Sequence, residues 1–148
     1  MLQGNRTLNY RHGYHAGNFA DVMKHVMLVA LLDALRRKPS PFSVLDTHAG
    51  IGLYDLSGPQ AQSTGEWREG VGRLLDLPPA TDLPPCVRQW LDMVKTVRGE
   101  HGGRLFYPGS PAIAARLLRA GDTLTCCELH PHDQQDLRRL FRHNPAVS

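Results

Sequence analysis

The chain has 148 residues, 41% hydrophobic and 21% charged, the make-up of one globular domain with apolar material for a core, and this excludes a disordered or low-complexity chain. The formal net charge of +3 is carried by 14 Arg against 3 Lys; guanidinium forks suit phosphate and stack on bases, so the balance leans toward a nucleic-acid partner, although an ordinary basic surface gives the same totals. Cys86, Cys126 and Cys127 form no C-x-x-C pair, the N-terminus has no apolar leader, and the longest apolar run (26–32) is far too short to span a bilayer, so a disulfide framework, a metal site and a membrane span are set aside and a cytoplasmic protein is expected.

Residues 1–9 read as a polar lead-in. Tyr10-Arg11-His12-Gly13-Tyr14-His15 interleaves aromatics with cationic or protonatable groups. Such a segment stacks on bases and contacts phosphate, or else packs as an arm on its own domain. Asn18 suits a helix N-cap, with Asp21 in the first turn. The helix runs to about residue 37, with Val22, Val26, Val29, Leu32 and Leu35 on its core face, and Lys38-Pro39-Ser40-Pro41 stops it. Residues 42–46 read as a buried strand that opens into Asp46-Thr47-His48-Ala49-Gly50-Ile51-Gly52. Residues 59–85 are rich in Pro, Gly, Ser and Thr, with short helical pieces near 70–75. Val87, Trp90, Leu91, Val94 and Val97 predict a helix ending before Gly102-Gly103. Residues 106–109 read as a turn. Ser110 as cap and Pro111 as first residue start a helix carrying Ile113, Leu117 and Leu118, which ends at Gly121. Residues 123–128 form a second strand ending on Glu128. His130-Pro131-His132-Asp133 opens a last helix containing Leu137, Leu140 and Phe141, with Arg138, Arg139 and Arg142 exposed.

This order predicts an α/β fold, the first part of an open Rossmann-like sheet. In a compact unit the second acidic residue follows the Gly loop by about 20 residues. Glu128 lies much further on, so either residues 55–105 are an inserted subdomain or the pairing of the two acids is wrong. A dinucleotide fingerprint needs a third glycine where this chain has Asp55. A carboxylate followed by Gly-x-Gly suits S-adenosylmethionine instead. Asp46 supplies acceptors, the backbone at Gly50 and Gly52 approaches the amino-acid part, and Glu128 accepts from ribose hydroxyls. By itself Gly-x-Gly also fits an ordinary tight turn. His48, inside the loop, is a candidate ligand contact. His25 reads as a helix histidine paired with Asp21 one turn earlier. His12-x-x-His15 and His130-x-His132 lack a third ligand at a sensible spacing.

Four ordered blocks, 10–25, 45–54, 107–111 and 128–131, resemble the bacterial 23S ribosomal RNA adenine-N6 methyltransferases of the J type. The resemblance covers nearly all of the chain from Tyr10 to about residue 143. It implies a Rossmann-like S-adenosylmethionine-dependent methyltransferase core with an inserted helical subdomain. It also implies methyl transfer to an adenine of 23S rRNA, with His25, His48, Ser110 and Glu128 on the cofactor. Tyr10, followed by Arg11, would meet the RNA, and the protein would act as a monomer. Adenine-N6 chemistry flips the base out of its stack and, by the same resemblance, orients the amine with an Asp-Pro-Pro-Tyr motif. That motif does not occur here. The chain is therefore expected to be the N-terminal, cofactor-binding part of such an enzyme, with the catalytic Asp beyond Ser148, two strands of the sheet, an uncovered apolar sheet face and no transfer activity alone. A non-catalytic S-adenosylmethionine- or RNA-binding fragment and a DNA adenine-N6 methyltransferase are the alternatives. A nicotinamide oxidoreductase ranks behind them because of Asp55.

Overall fold

A computed structural model describes residues 11–148, so Tyr10, assigned above to the RNA, lies outside the described residues. Helix α1 spans Phe19–Arg36, and Asn18 caps it as expected, its side chain accepting from the Asp21 backbone N–H at 3.0 Å. Asp21, His25, Val29 and Leu32 are buried on its inner side, with Val22, Val26 and Leu35 partly buried against the same core. The opposite side is apolar as well. Phe19, Met23, Met27 and Leu31 stand 60–71% exposed.

Strand β1 (Ser43–Asp46) pairs in parallel with β4 (Thr123–Cys126), Val44 opposite Leu124 and Leu45 opposite Thr125. Residues 146–148 run along the far side of β4: the Leu124 N–H donates to the Ala146 carbonyl (2.8 Å) and the Ser148 N–H to the Leu124 carbonyl (2.9 Å). Three extended segments are thus in place where two strands were expected. The reading of 42–46 as a buried strand is corrected. Val44 and Asp46 are half-buried, whereas Ser43 and Leu45 are exposed, Leu45 by 63%. Thr123 and Thr125 are exposed with them, and the Thr123 hydroxyl bonds the Ser43 hydroxyl at 2.8 Å. Core residues thus cover one face of this small sheet and leave the other open, and that open face is not the apolar one expected, since Ser43, Thr123 and Thr125 accompany Leu45 on it.

A second pair is antiparallel, β2 (Leu53–Asp55) against β3 (Phe106–Pro108), with Tyr54 opposite Tyr107. Residues 106–108 therefore form a strand and not the expected turn. Gly109 is extended as well, its N–H donating to the Gly52 carbonyl at 2.9 Å beside the β2–β3 pairing, and a helix begins directly after it. Between β2 and β3 lie α2 (Pro59–Thr64), a 3-10 turn (Glu66–Arg68), α3 (Val71–Leu75) and α4 (Pro85–Glu100). Trp90, Leu91, Val94 and Val97 of α4 are buried, and the first three share one core with Val29 and Leu32 of α1 and with Ile113 and Leu117. Helix α5 (Ser110–Leu117) begins one residue earlier than expected, with Gly109 in the cap position, and ends short of Gly121. Helix α6 (Pro131–Phe141) follows β4 after the cap residue His130.

The turn from α1 into β1 is held by Arg119. Its guanidinium donates to the carbonyls of Arg36 (3.0 Å), Lys38 (2.7 Å) and Ser40 (3.0 Å) and pairs with Asp122 at 2.9 Å. Asp122 in turn accepts from the Phe42 N–H at 2.9 Å. The bond from Arg119 is the main reason its carboxyl sits well below the ordinary range.

Candidate functional site

The C-terminal ends of β1 and β4 open into a cavity of about 830 Å³. Its size is that of a small-molecule or cofactor site, and it lies where open α/β sheets bind ligands, beyond the carboxyl ends of their strands. Asp46, the last residue of β1 and paired with Cys126, and Glu128, two residues beyond the end of β4, both line it. The Asp46 carboxylate accepts from the Ser110 hydroxyl (2.6 Å) and from the His48 N–H (3.2 Å). Glu128 accepts from the Gly50 N–H (2.9 Å) and the His130 N–H (2.7 Å). Ser110 thus spends its hydroxyl on Asp46 and not on capping α5. Neither carboxylate forms an ion pair among the described residues. Each carboxylate oxygen has lone pairs beyond the bond it accepts here, so both retain acceptor capacity toward the cavity.

The two loop glycines take different places. Gly50 (φ +62°) and Gly52 (φ +76°) both occupy the left-handed region that favours glycine. A Cβ on Gly50 would lie 2.1 Å from the Tyr54 hydroxyl, and one on Gly52 would lie 2.7 Å from Leu140 Cδ2. Gly50 lines the cavity; Gly52 is buried against α5 and α6 and does not. Both are closely packed against the protein itself, and of the two expected to approach a ligand only Gly50 borders the cavity.

His25 lines the cavity but does not bond Asp21. Its Nδ1 lies 2.7 Å from the Tyr107 hydroxyl, and the two rings stack at 5.5 Å. Burial is the main cause that lowers its pKa from 6.5 to about 4, so the ring is neutral at pH 7. Asp21 is taken instead by His12 Nε2 (2.8 Å), the Gly17 N–H (3.1 Å) and Lys24 Nζ (3.4 Å). Burial works to raise its pKa, yet the His12 bond, the histidine charges and the Gly17 N–H together hold it below the usual carboxylate value. His48 sits exposed at the rim, its Nδ1 2.9 Å from the Thr47 hydroxyl. Arg11 pairs with Asp133 of α6 at 2.9 Å.

The fold therefore gathers His25, His48, Ser110, Glu128, Asp46 and Gly50 around one cavity and leaves Gly52 behind it. It adds His12, Asp21, Lys24, Tyr54 and Asp133 to the lining. His12 was visible in the aromatic and basic segment, and Asp21 as a helix-start acid, but nothing in their spacing placed them on a cavity wall. Among the described residues no group of three or more His, Cys, Asp or Glu side chains is arranged to hold a metal ion. No helix there is long and apolar enough to cross a membrane.

Ribosomal RNA large subunit methyltransferase J of Haemophilus influenzae is 44% identical to this chain over 143 residues, 95% of this chain and 49% of that protein. The protein of the same name from Escherichia coli is 44% identical over 135 residues, 91% of this chain and 47% of its own. A crystal structure of a Legionella pneumophila protein superposes with a TM-score of 0.76 at 38% identity, over 90% of this chain and 47% of that one. The chain spans about half the length of the curated relatives it matches. The family model described as "Ribosomal RNA large subunit methyltransferase D, RlmJ" matches residues 39–148, and the chain belongs to that family.

Proposed function

We propose that these residues form the methyl-donor site of a Rossmann-like, S-adenosylmethionine-dependent methyltransferase acting on adenine N6 in 23S rRNA. One observation carries this reading. Two carboxylates with no ion pair among the described residues, Asp46 and Glu128, line one cavity near the ends of adjacent strands. A pyrophosphate-bearing dinucleotide would be repelled there, whereas a cationic sulfonium nucleoside with ribose hydroxyls is attracted and finds acceptors. The lining fits such a group: Leu28, Val44 and Ala114 supply apolar wall, and Asp46 and Glu128 supply charge. When bound, the donor supplies an electrophilic methyl group.

The roles of the chain's own side chains follow from their bonds. Glu128 would accept from the ribose while fixing Gly50, and Asp46, steadied by Ser110, would face the cationic end. His25, neutral and locked on Tyr107, would contact the donor as an uncharged ring, and His48 would close the rim. Tyr10 and Arg11 are read as the RNA-facing residues, and residues 55–105 as the inserted helical subdomain. No Asp-Pro-Pro-Tyr sequence occurs in these 148 residues, so the reading assigns them donor binding without transfer by themselves. Titration calorimetry with S-adenosylmethionine and with NAD tests this. The expected result is binding of the former alone, weakened about 10- to 100-fold in Glu128→Ala, the value of a hydrogen bond to a charged group. Binding of NAD, or donor binding unchanged by the substitution, would refute the assignment.

A further inference from the structure

Two hydroxyls of one short segment set the hydrogen-bonding polarity of the cavity walls. Ser110 opens α5 and donates to Asp46. Three residues earlier, Tyr107 sits in the middle of β3 opposite Tyr54 and is fully buried. Its ring lies against His25 of α1, centroids 5.5 Å apart and planes 27° apart. The Tyr107 hydroxyl and His25 Nδ1 are 2.7 Å apart, and neither atom has another hydrogen-bond partner among the described residues. The direction of this bond follows from counting protons. Burial pushes the Tyr107 hydroxyl well above the usual tyrosine range, so it keeps its proton. Burial likewise keeps the His25 ring neutral, with one protonated and one bare nitrogen. Were Nδ1 the protonated one, the tyrosine oxygen would accept, and its own O–H would be buried without an acceptor, a costly arrangement. The O–H therefore donates to Nδ1, and the ring proton sits on Nε2. That nitrogen bonds no described residue and is not shut off from solvent, so it opens to the cavity that His25 lines.

We propose that Tyr107 is a positioning residue: by donating to Nδ1 it fixes His25 in the Nε2–H tautomer, so that α1 offers a neutral hydrogen-bond donor to an acceptor atom of the methyl donor. Asp46 and Glu128, by contrast, offer acceptors only. The segment from 107 to 110 thus supports both kinds of contact, Tyr107 behind the donating ring and Ser110 behind an accepting carboxylate. A ligand with hydroxyls at one end and an acceptor oxygen at the other is thereby oriented. That Nε2–H meets the methyl donor rests on the donor-site reading above; the tautomer does not.

Long-range proton–nitrogen correlation spectra of the ligand-free chain read the position of the ring proton directly, the His25 signals being those lost in His25→Asn. Nε2 should resonate as a protonated nitrogen and Nδ1 as a bare one. Tyr107→Phe keeps the stacked ring and removes only the hydroxyl. It should move the Nδ1 signal and weaken S-adenosylmethionine binding about 2- to 10-fold by calorimetry, the value of one hydrogen bond. In a His25→Asn background, which has no far ring nitrogen, the same change should leave the affinity unaltered. A tyrosine that merely packed would weaken binding equally in both backgrounds and leave the nitrogen signals in place. A proton on Nδ1 in the parent, a folded Tyr107→Phe variant with parental affinity, or an effect of that change that persists without His25 would overturn the proposal. A parent that binds no S-adenosylmethionine refutes the donor-site reading, and the spectra of the ligand-free parent still decide the tautomer, whether or not Tyr107→Phe folds.

Discussion

Acidifying the solution from pH 7 to pH 5 should destabilise the fold through His25. Burial lowers this ring from 6.5 to about 4. Between those values the unfolded chain binds the proton and the folded chain does not, so stability falls as pH falls. Integrating over that window gives a loss of about 2 kcal/mol at pH 5 relative to pH 7. Below about pH 4 the folded ring protonates too, and the contribution levels off. Asp21 acts in a different window. Its folded pKa is depressed, so the stability it adds is lost only as pH falls below its ordinary value near 3.8. The assay is urea denaturation of the parent and of His25→Asn at pH 7 and pH 5. Asparagine reaches the Tyr107 hydroxyl and does not titrate, so the other histidines cancel in the comparison. The parent should lose about 2 kcal/mol more than the variant. Equal losses would refute the claim that a buried, neutral His25 is the source.

The two loop glycines should separate function from packing. Gly50→Ala forces a left-handed φ and drives a methyl group into the Tyr54 hydroxyl, which should cost about 2–4 kcal/mol in denaturant midpoint analysis and abolish donor binding in calorimetry. Gly52→Ala pushes on Leu140 and Leu137, so it should cost about 1–3 kcal/mol of stability and leave donor affinity within a few-fold of the parent. Ser110→Ala removes the donor to Asp46; calorimetry should show weaker donor binding by about 1–2 kcal/mol, with little change in the melting curve.

Much of this architecture is written in local pattern. Asn18 before an apolar period of three and four residues marks α1, and the repeat from Val87 to Val97 marks α4, because amphipathic spacing and caps act within a few residues. The short strands β2 and β3 escape such reading. Each has three residues, β3 ends in a proline, and their pairing joins positions some fifty residues apart. Of the site, the strand-end carboxylates are legible because strand ends and acidic residues coincide in sequence. The partner of His25 is not: Asp21 sits one turn away, yet the bond goes to Tyr107, 82 residues on, and Asp21 is claimed by His12. Ser110 misleads for a similar reason. It looks like a cap locally, and its hydroxyl instead donates to a carboxylate 64 residues earlier. The outer face of α1 was also hidden, since periodicity reports one apolar side and says nothing of a second.

The grip of Glu128 on two backbone N–H groups has a kinetic side. Its carboxylate fastens the loop after β1 to the loop after β4, so the cavity walls reach their working arrangement when the protein folds. A ligand arriving there meets two loops already tied together, which lowers the cost of ordering them on binding. Association should then proceed as a single fast step, without a slow isomerisation, and substitutions at Glu128 should shorten the residence time of the ligand more than they slow its arrival.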